Sequence, residues 1–191
     1  MTLLWSYRGA DVQDLYVMDA VNFTHYMMNG SLETFDIHEE VIKVNNGKDR
    51  VIKVRTSRFG PVVTDNNVVD DIDTPLSLKW TAIDPDVPDT TVKAFMLTNF
   101  AHSFEDFQNA MMFFTGPSQN FVYADKGGNI AYQLSGQIPI RSDSHKGAWP
   151  VPGNGKQIRS TIIKAVLVLE TKSLFGFCRL IRNFMEWLYT I

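Results

Sequence analysis

Hydrophobic and polar positions alternate over much of the chain, most clearly between residues 117 and 141. Two apolar and aromatic runs, residues 120–124 and 130–134, flank the segment 125–129, which contains two adjacent glycines. Glycine adopts the positive backbone φ of a tight turn at little steric cost. The pattern therefore predicts a β-hairpin, with one strand on each side of a glycine-bearing turn.

A second hairpin is predicted earlier in the chain. Residues 41–44 and 51–55 carry β-branched side chains at every second position, and the intervening segment contains Asn46 and Gly47. Because successive side chains of a strand point to opposite faces, we expect the lysines between the β-branched residues to point outwards. Further short strands are predicted at residues 3–5, 15–21, 59–64 and 76–82.

Two helices are predicted between these strands and the hairpin at residues 117–141. Asp89 is placed to cap a helix through residues 91–97. Ser103 and Asp106 have the spacing of a capping box. The apolar positions that follow have the spacing of an amphipathic helix, namely Phe104, Phe107, Met111 and Met112. Helices segregated from antiparallel strands indicate an α+β fold rather than a wound parallel sheet.

The composition changes after Lys156. Residues 157–191 contain no proline, no aspartate and a single glycine, Gly176. Ser173 is placed to cap a helix whose apolar side holds Phe177, Ile181, Phe184 and Leu188. We therefore divide the chain into a domain at residues 1–156 and a divergent, helical tail at residues 157–191, a frameshifted or truncated end being one explanation for the tail.

Composition and charge restrict the function classes. The 191 residues are 45% hydrophobic and 20% charged, as in ordinary globular proteins. A net charge of −3 gives no reason to expect binding to nucleic acid, which normally requires a basic face. Charged residues interrupt the longest apolar runs, so no membrane-spanning helix is expected. No signal peptide is visible in the sequence. The lone cysteine, Cys178, excludes an internal disulfide.

Three blocks of sequence point to a known family. They are GADVQDLY at residues 9–16, RFGPVV at 58–63 with Asp65 beyond it, and PSQNFVYAD at 117–125 followed by GNI-x-Y, G-x-IPIR and PVPG. In this order they resemble the β-subunit region of the penicillin acylase (penicillin amidase) family. The resemblance covers roughly residues 9–156.

The resemblance implies an N-terminal-nucleophile hydrolase with a four-layer αββα sandwich, in which a helical insertion accompanies antiparallel sheets. Such enzymes cleave their precursor to expose a serine, whose own α-amino group acts as base. They hydrolyse linear amides such as penicillins or N-acyl-homoserine lactones. The partner implied is an upstream segment or α-subunit of the same precursor. Relatives are usually exported, which implies a periplasmic or secreted protein and leaves the compartment of this chain undecided.

The resemblance also implies a calcium site. Asp11, Gln13 and Asp14 match the family's pattern of two carboxylates with a main-chain carbonyl between them, and calcium takes six to eight oxygen ligands. Gly147 falls near another carbonyl ligand of the family, and two further carboxylates would come from other parts of the protein. Alternatively, Asp11 and Asp14 simply cap or terminate a strand.

The reacting groups of the family have no clear counterpart. Its nucleophile would lie several tens of residues upstream of Gly9, and Thr2 is a poor substitute. Its first oxyanion donor would fall near Tyr7, in a stretch that departs from the family pattern. The chain alone is therefore expected to be catalytically silent. A different hypothesis is a non-catalytic remnant that acts as a binding or structural partner.

Several other residues are interpreted as structural. Gln119 and Asn120 are expected to satisfy main-chain groups beside a buried strand. The aromatic and methionine side chains of the second helix are expected in the core rather than in an acyl pocket. Four histidines lack metal-ligand spacing and are expected at the surface, namely His25, His38, His102 and His145.

Overall fold

The computed structural model describes residues 2–6, 11–65, 73–86, 88–142, 145–155 and 161–171. The chain forms two compact units. Unit 1 comprises Met1–Val12, Pro85–Ile140 and Thr161–Ile191, and unit 2 comprises Gln13–Asp84 and Arg141–Ser160. The described elements are β1 (Thr2–Ser6), β2 (Gln13–Val17), β3 (His25–Met28), β4 (Ser31–Thr34), β5 (Asp36–Ile42), β6 (Arg50–Ser57), β7 (Gly60–Pro61), β8 (Leu76–Trp80), α1 (Thr91–Asn99), α2 (Phe104–Met111), β9 (Gln119–Ala124), β10 (Ile130–Ile140), β11 (Val151–Pro152) and β12 (Thr161–Thr171).

Unit 1 is built on an antiparallel sheet of order β1-β9-β10-β12. Its apolar core combines side chains of β9 and β10 with those of the two helices. Phe107 and Phe114 meet the ring of Phe121 edge to face, at centroid distances of 6.4 and 5.1 Å. Phe107 and Met111 are fully buried and Met112 is exposed, so the expected core role holds for all but the last of these residues.

The predicted hairpin at residues 117–141 is confirmed as β9 and β10. In its turn the main-chain N–H of Asp125 donates to the carbonyl of Asn129 at 3.1 Å, and the Asp125 carboxylate accepts the N–H of Asn129 at 3.0 Å. Gly128 has a φ of 81°, which is the backbone conformation for which glycine was expected.

The helix caps follow the sequence closely. The predicted capping box of α2 is confirmed: Ser103 Oγ accepts the N–H of Asp106, and the Asp106 carboxylate accepts the N–H of Ser103, each at 3.0 Å. In α1 the N-cap is Thr90 rather than Asp89. Asp89 still accepts the N–H of Thr91 at 2.9 Å, so its side chain serves the same helix end from one residue further out.

The described residues of unit 2 form three small sheets, of order β11-β2-β8, β3-β4 and β5-β6-β7. Within its apolar core the rings of Tyr16 and Phe59 stack at 4.0 Å. The predicted second hairpin is confirmed as β5 and β6. The expected inward orientation of its β-branched residues is wrong at the hairpin end, where Val41, Ile42 and Val51 are about half exposed.

Part of the predicted helical tail is a strand. Thr161–Thr171 forms β12, which pairs with β10 along its whole length, from Thr161↔Ile140 to Thr171↔Ile130. The β-branched residues of this stretch explain the difference, since they favour extended backbone over helix. The helix predicted from Ser173 lies outside the described residues. Among the described residues, no helix is long and apolar enough to cross a membrane.

Candidate functional site

The candidate site lies in unit 2, where Asp14 of β2 meets two basic side chains. Asp14 is only 4% exposed. Its Oδ1 accepts a hydrogen bond from Arg141 Nε at 2.7 Å and lies 3.0 Å from Nε2 of His145. Alternation along β2 buries Asp14 and leaves the preceding Gln13 exposed. The carboxylate of this motif is therefore an internal group whose charge is matched by Arg141.

Arg141 also reaches the main chain of the same strand. Its Nη2 donates to the carbonyl oxygen of Gln13 at 3.3 Å. The guanidinium is a planar fork that stays charged at any physiological pH. The Arg141 side chain therefore donates hydrogen bonds to both oxygens that the family resemblance assigns to calcium within residues 13 and 14.

His145 completes this cluster. It is 4% exposed, so its predicted surface position is wrong, whereas His38 and His102 are exposed as expected. Its Nδ1 accepts the N–H of Gly147 at 3.4 Å. A ring nitrogen that accepts leaves the proton of a neutral imidazole on the other nitrogen, here Nε2, which lies 3.0 Å from Asp14 Oδ1 but is not aligned for a hydrogen bond with it. A buried carboxylate explains why this histidine is drawn inside.

Tyr16 lies on the other side of the histidine ring, edge to face at 6.1 Å. Burial raises the pKa of its phenol above 10.0, the negative charge of Asp14 raises it further, and Arg141 acts in the opposite direction. Tyr16 therefore stays neutral at physiological pH and adds no charge to the cluster.

We tested whether the predicted calcium ligands fit an ion. Asp11 and Gln13 are exposed, whereas Asp14 is buried. Arg141 already engages the Gln13 carbonyl and the Asp14 carboxylate. Among the described residues, no group of three or more His, Cys, Asp or Glu side chains is placed to share a metal. The oxygens of residues 13 and 14 therefore do not fit calcium in this arrangement, and the calcium assignment stays a prediction.

The other residues considered from sequence have structural surroundings. Thr2 is the first residue of β1, where it pairs with Ala124. Tyr7, the expected oxyanion position, lies outside the described residues. Asn120 is buried, and its side-chain oxygen accepts the hydroxyl of Tyr132. The partner of the Asn120 side chain is thus another side chain rather than the expected main-chain group.

A second buried ion pair in unit 2 was not predicted. Arg55 Nε and Nη2 donate to the two carboxylate oxygens of Asp65 at 2.7 and 2.6 Å. The Arg55 guanidinium also lies over the rings of Phe23 and Phe35, at 4.7 and 4.9 Å from the ring centres. The sequence signals for both pairs were weak, because each consists of one arginine that ends or interrupts an apolar run.

Comparison with known proteins identifies the class. The described residues form mainly antiparallel sheets and two helices, which define an α+β fold. The structure is similar to that of a thermostable penicillin G acylase from Alcaligenes faecalis. That match has a TM-score of 0.68 and 24% sequence identity, and it covers 88% of this chain and 32% of the acylase chain. At this identity the likeness shows the fold, and this chain corresponds to about a third of the length of that acylase.

The family follows from the sequence. A model of the penicillin amidase family matches residues 6–166. The chain therefore belongs to the penicillin amidase family, a family of hydrolases, as the sequence blocks predicted. The match extends beyond residue 156, the expected limit of the resemblance, and into β12.

Proposed function

We propose that this chain is part of the β-subunit region of a penicillin-acylase-family amide hydrolase. The observation that carries the proposal is the family match over residues 6–166, which includes residues of all four strands of the unit 1 sheet. The complete protein would have the four-layer αββα sandwich of N-terminal-nucleophile hydrolases. Its substrates would be linear amides such as penicillins or N-acyl-homoserine lactones.

In the complete protein the reaction would start from an N-terminal serine. The serine hydroxyl attacks the amide carbonyl while its own α-amino group takes the proton. Hydrogen-bond donors stabilise the oxyanion, the amine leaves, and water releases the acyl group from the acyl-enzyme. This chain supplies the sheet of unit 1 to that machinery, and an upstream segment or an α-subunit of the same precursor supplies the serine. We propose in addition that the complete protein is exported to the periplasm or secreted.

One surface feature favours a second candidate, a non-catalytic binding partner. Helix α1 carries Val92 and Met96, and Phe100 follows as its C-cap residue. The three side chains stand at intervals of four residues, with exposures of 71%, 59% and 72%. Residues spaced in this way lie on one side of a helix, and a contiguous exposed apolar patch is typical of an interaction surface. In an active acylase the same surface would bind the other subunit of the enzyme.

The test is an amidase assay of the purified 191-residue chain. We expect neither turnover nor a burst of product on phenylacetyl or long-chain acyl para-nitroanilides. Co-production with the polypeptide encoded immediately upstream should then produce activity. A burst from the isolated chain would contradict the assignment of the nucleophile to another polypeptide.

Reading the flanking DNA separates the two candidates. An open frame that continues upstream to a Gly-Ser or similar cleavage junction favours the hydrolase. Stop codons on both sides favour the binding partner. A frame change near Lys156 that restores family-like sequence would explain the altered composition of residues 157–191.

A further inference from the structure

We infer that Arg141 is an internal counter-cation that takes the place of a metal ion at the Gln13–Asp14 segment. The inference concerns the folding of unit 2 and does not depend on the proposed hydrolase activity. Three contacts carry it: Arg141 Nε to Asp14 Oδ1 at 2.7 Å, Arg141 Nη2 to the Gln13 carbonyl at 3.3 Å, and His145 Nε2 to Asp14 Oδ1 at 3.0 Å.

The two oxygens have different chemical origins and the same partner. One belongs to a side-chain carboxylate and the other to the main chain, and hard divalent cations bind such mixed sets of oxygen ligands. A guanidinium is suited to the same set, because its nitrogens are separate donors held in one plane. A single arginine therefore neutralises the charge of Asp14 and satisfies the neighbouring carbonyl.

A calcium ion would have to displace this arginine. Calcium lies about 2.3–2.6 Å from each of its oxygen ligands. An ion bonded to both Gln13 O and Asp14 Oδ1 would occupy space beside atoms that already contact Arg141. The ion would also be repelled by a guanidinium that cannot lose its charge, and His145 Nε2, 3.0 Å from the same oxygen, occupies part of the space around it.

Burial explains why the replacement matters to the fold. The Arg141 side chain is 15% exposed, that of His145 is 3% exposed, and that of Asp14 is 4% exposed. A carboxylate removed from water this far must be paired. Since Arg141 begins one segment of unit 2 and Asp14 lies in the other, the pair also joins the two segments of this unit.

The experiment compares thermal unfolding of the full chain in EGTA and in excess calcium chloride. We expect the wild-type Tm to be the same in both solutions, and terbium luminescence to show no saturable site. Arg141→Met should lower the Tm in EGTA by on the order of 10 °C, because a buried carboxylate loses its partner. Calcium should then restore part of that loss in the variant alone.

Arg55→Met is the matched control. It breaks another buried arginine–carboxylate pair of unit 2, between Arg55 and Asp65, whose guanidinium lies over the rings of Phe23 and Phe35 rather than at the proposed cation position. We expect it to lower the Tm without creating any response to calcium. If Arg141→Met does not fold, Arg141→Lys retains one positive charge and should fold and stay indifferent to calcium.

Two results would overturn the inference. The first is a saturable rise of the wild-type Tm with calcium that disappears in Asp14→Asn, because the segment would then hold an ion despite Arg141. The second is an Arg141→Met protein that unfolds earlier and ignores calcium as Arg55→Met does, because Arg141 would then not stand at a cation position.

Discussion

The two hairpins of this protein, β9–β10 in unit 1 and β5–β6 in unit 2, have similar sequence patterns and opposite surroundings. Both combine alternating apolar residues with a turn that contains glycine and asparagine. Phe121 and Tyr123 of the first hairpin are almost completely buried, whereas Val41 and Val51 of the second are 52% and 55% exposed. Val41 and Val51 are directly paired across their strands.

The difference shows that sequence periodicity predicts where a strand forms but not whether other elements cover its apolar face. In unit 1 the aromatic side chains of α2 and of the segment after it pack on β9. They cover the apolar face that the alternating pattern gives this strand. The end of the β5–β6 hairpin extends beyond the core cluster of unit 2, which includes Phe35 just before β5 and, on β5 itself, the partly buried Ile37. The free energy gained from each hairpin should differ accordingly.

The strongest test of this comparison is Phe121→Ala. The ring is fully buried between Phe107 and Phe114, so its removal leaves a cavity and should reduce the free energy of unfolding by about 3–5 kcal/mol. Urea denaturation followed by circular dichroism measures the loss. A loss below about 1 kcal/mol would show that the helices do not cover this hairpin in solution.

Gly136→Ala should have the next largest effect. Gly136 has a φ of 136°, and an added Cβ would stand 2.5 Å from the Cα of Ser118. Backbone strain and overpacking together should cost about 2–4 kcal/mol. The control is Gly128→Ala in the turn of the same hairpin, where φ is 81° and nothing lies within 4 Å. That control should cost only about 1–2 kcal/mol, and equal losses in the two variants would exclude the steric contribution.

The burial of the first hairpin also predicts a loss of stability in alkali. Burial raises the pKa of Tyr132 to about 12, and burial together with a hydrogen bond to Asp125 raises that of Tyr123 to about 12. Since an unfolded tyrosine titrates near pH 10, the stabilisation is complete below that pH and decreases as the pH rises towards 12. Tyr132→Phe should make this decrease shallower, as measured by denaturation at a series of pH values. An unchanged slope would show that Tyr132 ionises as easily in the folded protein as in the unfolded chain.

The smallest effect is expected at the exposed hairpin. Val41→Thr combined with Val51→Thr keeps β-branched residues in the strands and removes exposed apolar surface. The free energy of unfolding should change by no more than about 0.5 kcal/mol, while light scattering at high protein concentration should decrease. A larger loss of stability would mean that these valines are covered in solution.

Local features of the fold were predictable because their causes are local. The capping box at Ser103 and Asp106 requires only two side chains three residues apart. The hairpin turn at residues 125–129 requires only glycine and a short carboxylate side chain. In both cases the hydrogen bonds observed are those that the residue types favour.

The candidate site was only partly predictable. The sequence selected Asp14 and Gln13 but not the partners of their oxygens, because Arg141 is 127 residues away along the chain. Burial of His145 depends on that carboxylate, so a spacing rule for metal ligands could not find it. The strand at Thr161–Thr171 was missed for a related reason: its β-branched content is a weak signal until β10 provides a neighbour.

The pairing of β1 with β9 has a consequence for biosynthesis. Thr2 pairs with Ala124 and Ser6 with Asn120, so β1 can pair only after the intervening residues, up to β9, have also been translated. Contacts this distant along a polypeptide slow folding, since a large loop must close before they form. In ribosome-arrested chains β1 should therefore remain sensitive to proteases until β9 has emerged, while residues 13–84 of unit 2 will already have been synthesised.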